Sequence, residues 1–192
     1  MEFVGPQIGE ELREDGGLGM LAALIVVMLY VAVRFQYKFS IGAVLALFHD
    51  VLITLGFFAL FGWDFDLTVL AAVLAIIGYS LNDTIVVFDR IRENFREVRQ
   101  TDTADIINIS ITQMLGRTLV TSGTTLIVVV VLFFLGGEMI HNFSLALMVG
   151  ILVGTYSSIY VASNTCMMLN LQRTDLMPSQ KELEEEDLSE FQ

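Results

Sequence analysis

The sequence predicts an all-α membrane protein, a polytopic bundle of five transmembrane helices with its N-terminus outside and its C-terminus in the cytoplasm. Three observations predict it. Of 192 residues, 55% are hydrophobic and the mean hydropathy is +0.69, far from the composition of a soluble domain. The apolar residues collect into five runs near the ~20 residues that cross a bilayer at a helical rise of ~1.5 Å. The basic residues fall on one side of the spans so defined. Arg34, Lys38, Arg90, Arg92, Arg96, Arg99, Arg117, Arg173 and Lys181 lie on that side and Arg13 alone on the other. Excess Lys and Arg marks the cytoplasmic side.

The elements follow in order. Residues 1–16 carry Gly, Pro and acids without a period and read as a lead-in on the outer face. No basic stretch leads into a short apolar run there, so no signal peptide is expected. The first span is 17–33, closed by Arg34 and Lys38. The second is 41–62, ending at Trp63, an amphipathic ring suited to the membrane interface. Asp64 and Asp66 occupy a tight loop before the third span, 67–88.

Residues 89–116 are polar but not shapeless. Arg90, Arg96 and Arg99 stand at helical spacing from Glu93 and Glu97, so the third span is expected to run on as a helix. Thr101 or Asp102 can cap a second helix. Its Ile106, Ile107, Ile109, Ile111 and Leu115 are apolar enough for it to lie on the membrane surface or pack back on the bundle. The fourth span is 118–137, a short loop holds Glu138 and His141, and the fifth span is 143–169. The segment 170–192, with ELEEEDLSE near its end, reads as a solvated, partly disordered acidic tail.

Composition also excludes classes. The net charge of −12 comes largely from the two terminal segments, and such a chain has no footprint for nucleic acid. The lone Cys166 sits in an apolar run and reads as a small buried hydrophobe. There is no phosphate-binding Gly-rich loop, no GxSxG, no HExxH and no clustered Cys/His spacing. No enzyme activity, metal or cofactor is expected. An intramembrane protease could use two buried aspartates, Asp50 and Asp83, but their flanking residues do not resemble that class.

One stretch organises the rest: GYSLNDTIVVFDRIREN, Gly78 to Asn94. It opens within an apolar run, places Asn82 and Asp83 at lipid depth, and closes on residues that need water. A carboxylate within a span costs about 2.5–3.5 kcal/mol on insertion scales, and such groups are functional by default. The stretch resembles the signature of the SecF family, the smaller half of the SecD–SecF accessory to the bacterial protein-export channel. VGP at 4–6 and GEEL at 9–12 also resemble a stretch that in this family follows a large periplasmic domain. The chain therefore resembles the C-terminal membrane part of such a protein over nearly its whole length.

The resemblance implies half of a membrane domain of the resistance–nodulation–division (RND) type in the bacterial inner membrane. It implies SecD as the matching half, the SecYEG channel, YajC, unfolded preprotein and membrane lipid as partners, and protons as the coupling ion. In that family proton movement drives periplasmic domains that pull or hold emerging polypeptide. The alternatives are a fragment of a proton-coupled RND-type small-molecule exporter, or a scaffold of the translocase that moves no protons.

The candidate residues are read on that basis. Asp83 lies ~9 Å inside the water-facing end of its helix, where its charge state can differ between two conformations. Arg117 opens the fourth span within GRT, which resembles the family's basic position there. The family implicates this residue and the carboxylate matching Asp83 in proton use. Arg117 read alone is equally a snorkelling anchor. Tyr79 and Ser80, one turn before Asp83, and the adjacent Asn82 are expected to orient the carboxyl. His49 and Asp50, midway along the second span, border a polar cleft as a relay or as a hydrogen-bonding pair. Thr118, Thr121, Ser122 and Thr125 form a polar seam on the fourth span. Gly150, Gly154, Ser158 and Ala162 recur every four residues on the fifth, a face for close helix packing.

Overall fold

The computed structural model describes residues 6–34, 37–98 and 102–171. It is an all-helical bundle: α1 (Pro6–Arg34), α2 (Tyr37–Phe61), α3 (Leu67–Glu97), α4 (Thr103–Leu135), a 3₁₀ turn (Glu138–Ile140), α5 (His141–Tyr156), a π-turn (Ser157–Val161) and α6 (Ala162–Met168). Five stretches are long and apolar enough to cross a membrane, the last running from Glu138 through α6 to Met168. Arg99, Thr101, Arg173, Lys181 and the acidic tail lie outside the described residues.

Helix ends are set by local chemistry. At the start of α3 the Asp66 carboxylate accepts from Val69 N–H at 2.9 Å and Thr68 Oγ1 at 2.7 Å, a side-chain cap on donors the helix leaves free. Asp102 caps α4 through Thr103 N–H at 2.8 Å. α2 ends at Gly62, whose φ of 65° is left-handed. Trp63 N–H reaches back to Phe58 O at 3.0 Å and the two rings meet edge to face, the Schellman stop with its apolar contact. The chain after α6 repeats the device with Asn170 at φ 48° and Leu171 N–H on Cys166 O at 3.2 Å.

α3 is the central helix. It packs against α1, α2, α4, α5, the π-turn and α6, and half of its span is buried against 6% for α1. The core runs along it: Val73, Ile77, Leu81, Val87, Phe88, Ile91 and Phe95 meet α2's Phe39, Ala43 and Leu47 and α6's Ala162 and Cys166. The small-residue face of the fifth span makes this closeness possible. A Cβ on Gly150 would fall on the Ile76 side chain, and one on Gly154 would stand 3.2 Å from Ser80 Cβ. Ala162 faces Gly42 through its carbonyl.

α3 is ~46 Å long and α4 ~50 Å at helical rise, so both exceed the ~30 Å hydrocarbon core. The end of α3 and the start of α4 in this excess pack on each other as the two arms of a helical hairpin. α4 is one continuous helix through Gly116 and Arg117, where sequence reading placed a separate segment up to 116. Ile106 and Ile107 are buried in the same core as Ile91 and Phe95, so this part packs back on the bundle. Buried Asn94 clasps the hairpin, its Nδ2 donating to Ser110 Oγ at 2.7 Å and Gln113 Oε1 at 2.9 Å, while Arg90 Nε donates to the same Gln113 oxygen at 2.5 Å.

Candidate functional site

Four residues of α3 in one stretch, Tyr79, Ser80, Asp83 and Thr84, stand in two i,i+4 rows about 100° apart. The Tyr79–Asp83 row faces α4. Asp83 is buried, 4% exposed, and accepts from Ser122 Oγ at 3.4 Å. Tyr79 OH donates to the same Ser122 hydroxyl at 3.4 Å and to Thr125 Oγ1 at 3.5 Å. Ser122 is held from the far side by Thr155 Oγ1 of α5 at 2.7 Å.

The Ser80–Thr84 row faces α2 and the fifth span. Ser80 Oγ donates to Asp50 Oδ2 at 2.5 Å, and Ser157 Oγ donates to the same oxygen at 2.8 Å. Thr84 Oγ1 donates to Ser158 Oγ at 3.1 Å, and Ser158 Oγ reaches Ser80 O at 3.2 Å and Gly154 O at 2.8 Å. Asp50 is wholly buried, and its Oδ1 meets His49 Nδ1 at 3.0 Å. His49 and Asp50 diverge around α2, as neighbouring helical residues must, yet their side chains touch.

The expected residues thus fall into two networks on either side of α3. Tyr79 joins Asp83, whereas Ser80 serves Asp50. Asn82 is exposed beside them. Arg117 is exposed on α4, and among the described residues no ion pair joins it to Asp83. It stands on α4 five residues before Ser122, the residue whose hydroxyl meets Asp83. In the α4 polar seam only Ser122 and Thr125 reach α3. Thr121 bonds the Arg117 carbonyl of its own helix at 2.9 Å, and Thr118 is buried.

Sequence reading missed three members: Thr84, Thr155 and Ser157. It took Ser158 for packing alone, while the structure also gives its hydroxyl two cross-helix contacts. A signal existed in the run Thr155-Tyr156-Ser157-Ser158, which is polar for a span. The π-turn that brings Ser157, Ser158 and Ile159 to the interior together has no comparable sequence mark. Among the described residues no cluster of His, Cys, Asp and Glu could hold a metal ion.

Comparison with known proteins places the chain in a family. Residues 1–172 match the family model "Protein export membrane protein SecD/SecF, C-terminal". The protein translocase subunit SecF of Vibrio alginolyticus is 57% identical over 191 residues, covering 100% of this chain and 61% of the relative. That of Pseudomonas aeruginosa is 56% identical, covering 94% and 59%. The crystal structure of SecDF, a translocon-associated membrane protein from Thermus thermophilus, superimposes with a TM-score of 0.82 at 48% identity, over 88% of this chain and 24% of that one. This chain spans about three fifths of the curated relatives it matches.

Proposed function

The chain belongs to the SecD/SecF family of protein export membrane proteins, and from this we propose that it is the membrane part of a Sec translocase accessory subunit, one that couples proton movement to preprotein export across the bacterial inner membrane. It is a non-catalytic transport component, with the proton as its coupling ion and no bound cofactor. Its partners are a SecD-type half with a matching helical domain and the export channel, SecYEG, with YajC beside them and unfolded preprotein as cargo. The N-terminus faces out and the α3–α4 arms face the cytoplasm, the orientation in which Arg90, Arg92, Arg96 and Arg117 lie inside.

The observation that carries this reading is the way Asp83 is held. It is buried at the middle of the central helix, and the hydrogen bond it accepts from Ser122 is long, 3.4 Å. Ser122 is bound more closely by Thr155, at 2.7 Å, than it binds Asp83. Asp83 can therefore leave Ser122 while the α4–α5 contact stays in place. Arg117 supplies the other state. Brought into contact, its fixed positive charge favours the deprotonated carboxylate. Separated from it, as here, a buried Asp83 is suited to carry a proton. Alternation between the two takes a proton up from the outer side and releases it inside. The exposed face of α3 with Gly78 and Asn82 suits the approach of a partner helix, since a small residue permits closeness and an amide gives a hydrogen bond.

The test is precursor export in cells depleted of their own SecF. The chain is supplied as the membrane part of a full-length subunit, with Asp83 or Asp83→Asn at matched protein levels. Proton coupling predicts that Asp83 clears precursor and Asp83→Asn does not, although both assemble with the SecD half. Equal clearance would show a scaffold in which Asp83 is structural.

A further inference from the structure

We propose that His49 and Asp50 form a second proton-binding site, distinct from Asp83, linking the flank of α2 to the interior of the bundle. The inference rests on the proton-coupled reading above and extends it to a pair whose role that reading leaves open.

The first argument is the chemistry of the partners. A carboxylate buried only for structure is best held by groups that can only donate: backbone N–H, Arg or Lys. The partners of Asp50 are two hydroxyls and an imidazole, each able to donate or accept. The same frame therefore satisfies both protonation states. As an anion, Asp50 accepts from Ser80 and Ser157. As an acid protonated on Oδ1, it donates back to His49 Nδ1, while Oδ2 still accepts from Ser80 and Ser157. One turn along α2, Thr54 Oγ1 is buried with no partner in this conformation.

The second argument is placement. The His49 side chain is 29% exposed on the flank of α2, where at this depth lipid or a partner half packs, and that of Asp50 is 1% exposed, so the ring stands between the bundle surface and the carboxyl. A proton bound at the outer ring nitrogen, Nε2, lets the Nδ1 proton pass to Asp50 Oδ1, leaving a neutral imidazole protonated at Nε2. One proton enters and one carboxyl is formed. His49 is the titratable side chain in contact with Asp50. From α3, Asp83 and Tyr79 turn toward α4. From α5 and the π-turn Gly154 and Ser157 approach Asp50, and on α1, which also packs on α2, the described titratable side chain Tyr30 is exposed. Cys166 of α6 sits against Gly42, about two turns away along α2. Lys38, at the far end of α2, is bound to Asn170 O.

The third argument is connection. Ser157 opens the π-turn, and two residues before it Thr155 holds the Ser122 hydroxyl that meets Asp83. The hydroxyl that donates to Asp50 thus stands two residues from the group that supports Asp83. π-turns within helices are often found at functional sites.

The test is infrared difference spectroscopy of the purified chain in lipid, titrated from neutral to acid pH, which reads the C=O stretch of buried protonated carboxyls. The wild type is expected to show two buried carboxyl bands. Asp83→Asn should leave one, and Asp50→Asn should remove that one. Ser157→Ala should shift its frequency through the lost hydrogen bond, and His49→Gln should slow its exchange with solvent. These two milder variants carry the test if Asp50→Asn does not fold. The proposal is overturned if Asp83→Asn leaves no titrating buried carboxyl, or if the remaining band is indifferent to Ser157→Ala and His49→Gln. A band that responds to position 50 while position 83 contributes none would instead sink the Asp83 reading and leave the second site standing.

Discussion

Gly150 offers a sharp test of the packing that holds the site. A methyl group there would fall on the side chain of Ile76, itself 1% exposed. Two effects oppose in Gly150→Ala. Alanine is favoured over glycine within a helix by about 1 kcal/mol. Forcing a methyl into a filled contact costs about 1–3 kcal/mol. Ile76 has no free space to enter, so the upper half of that range applies and the net loss is about 1–2 kcal/mol. Ile76→Ala alone opens a cavity at a cost of about 2–5 kcal/mol. In that background the Gly150 methyl enters empty space, and only the propensity gain remains. The effect of Gly150→Ala then changes sign, and the coupling between the two positions is about 2–3 kcal/mol.

Denaturant unfolding in mixed micelles measures this, followed by Trp63, the chain's one tryptophan, which stacks on Phe61 and meets Phe58 edge to face. Gly123→Ala serves as the control, because nothing lies within 4 Å of a Cβ there, and it should be neutral or stabilising by up to ~1 kcal/mol. The reasoning is refuted if Gly150→Ala costs the same with Ile76 and with Ala at position 76, within ~0.5 kcal/mol.

Asn94→Ala removes both clasping bonds of the hairpin; at about 0.5–1.5 kcal/mol each, a loss of ~1–3 kcal/mol is expected, with faster amide hydrogen exchange confined to residues 91–98 and 103–113. Ser122→Ala severs contacts to Asp83, Tyr79 and Thr155; at ~0.6 kcal/mol per membrane hydrogen bond stability falls by ~2 kcal/mol, and precursor export should fall further than in Thr125→Ala, which loses one cross-helix bond, to Tyr79, and one within its own helix. Cys166 is wholly buried and its thiol should resist maleimide in the folded protein and react fully once unfolded, as mass spectrometry would read. Asp66→Ala removes the cap of α3 and should cost about 0.5–2 kcal/mol, seen as a lower unfolding midpoint with export unchanged.

What could be read from the sequence, and what could not, follows from the range of the interactions. The five spans were legible because each is a local excess of apolar residues, and Asp102 as a cap because capping acts over one turn. The continuity of α4 through Gly116 was hidden. A glycine and an arginine at a span entrance look like a boundary, but Ile106 and Ile107 bury against α3 and hold the helix straight through it. Asp83 stood out as a charge in an apolar run. Its division from Ser80 did not, since i−3 and i−4 neighbours look equivalent until the flanking helices are placed. Asp50 accepts from residues 30 and 107 positions away in the chain. No spacing rule reaches that far, and the π-turn that delivers Ser157 is itself a product of tertiary packing.

The bond lengths around α3 suggest which seam moves. Toward α2 and the fifth span the bonds are short: 2.5 Å from Ser80 to Asp50, 2.8 Å from Ser157 to Asp50 and 3.1 Å from Thr84 to Ser158. Toward α4 at the level of Asp83 they are long, 3.4 to 3.5 Å. At the hairpin the α3–α4 contacts tighten again to 2.5–2.9 Å through Arg90 and Asn94. Hydrogen bonds near 3.5 Å are at the edge of usefulness, so separating α3 from α4 around Asp83 breaks little, whereas separating them at the hairpin breaks much. The expected relative motion of the two helices is then a pivot about the Asn94 clasp, largest where Asp83 looks toward the helix that carries Arg117. A cysteine pair replacing Tyr79 and Ser122, bridged by a short bifunctional thiol reagent, should therefore lose export relative to the same pair left unbridged, while a pair replacing Asn94 and Ser110 should export equally bridged or unbridged. Arrest by the second pair and not the first would place the moving seam at the opposite end of the hairpin.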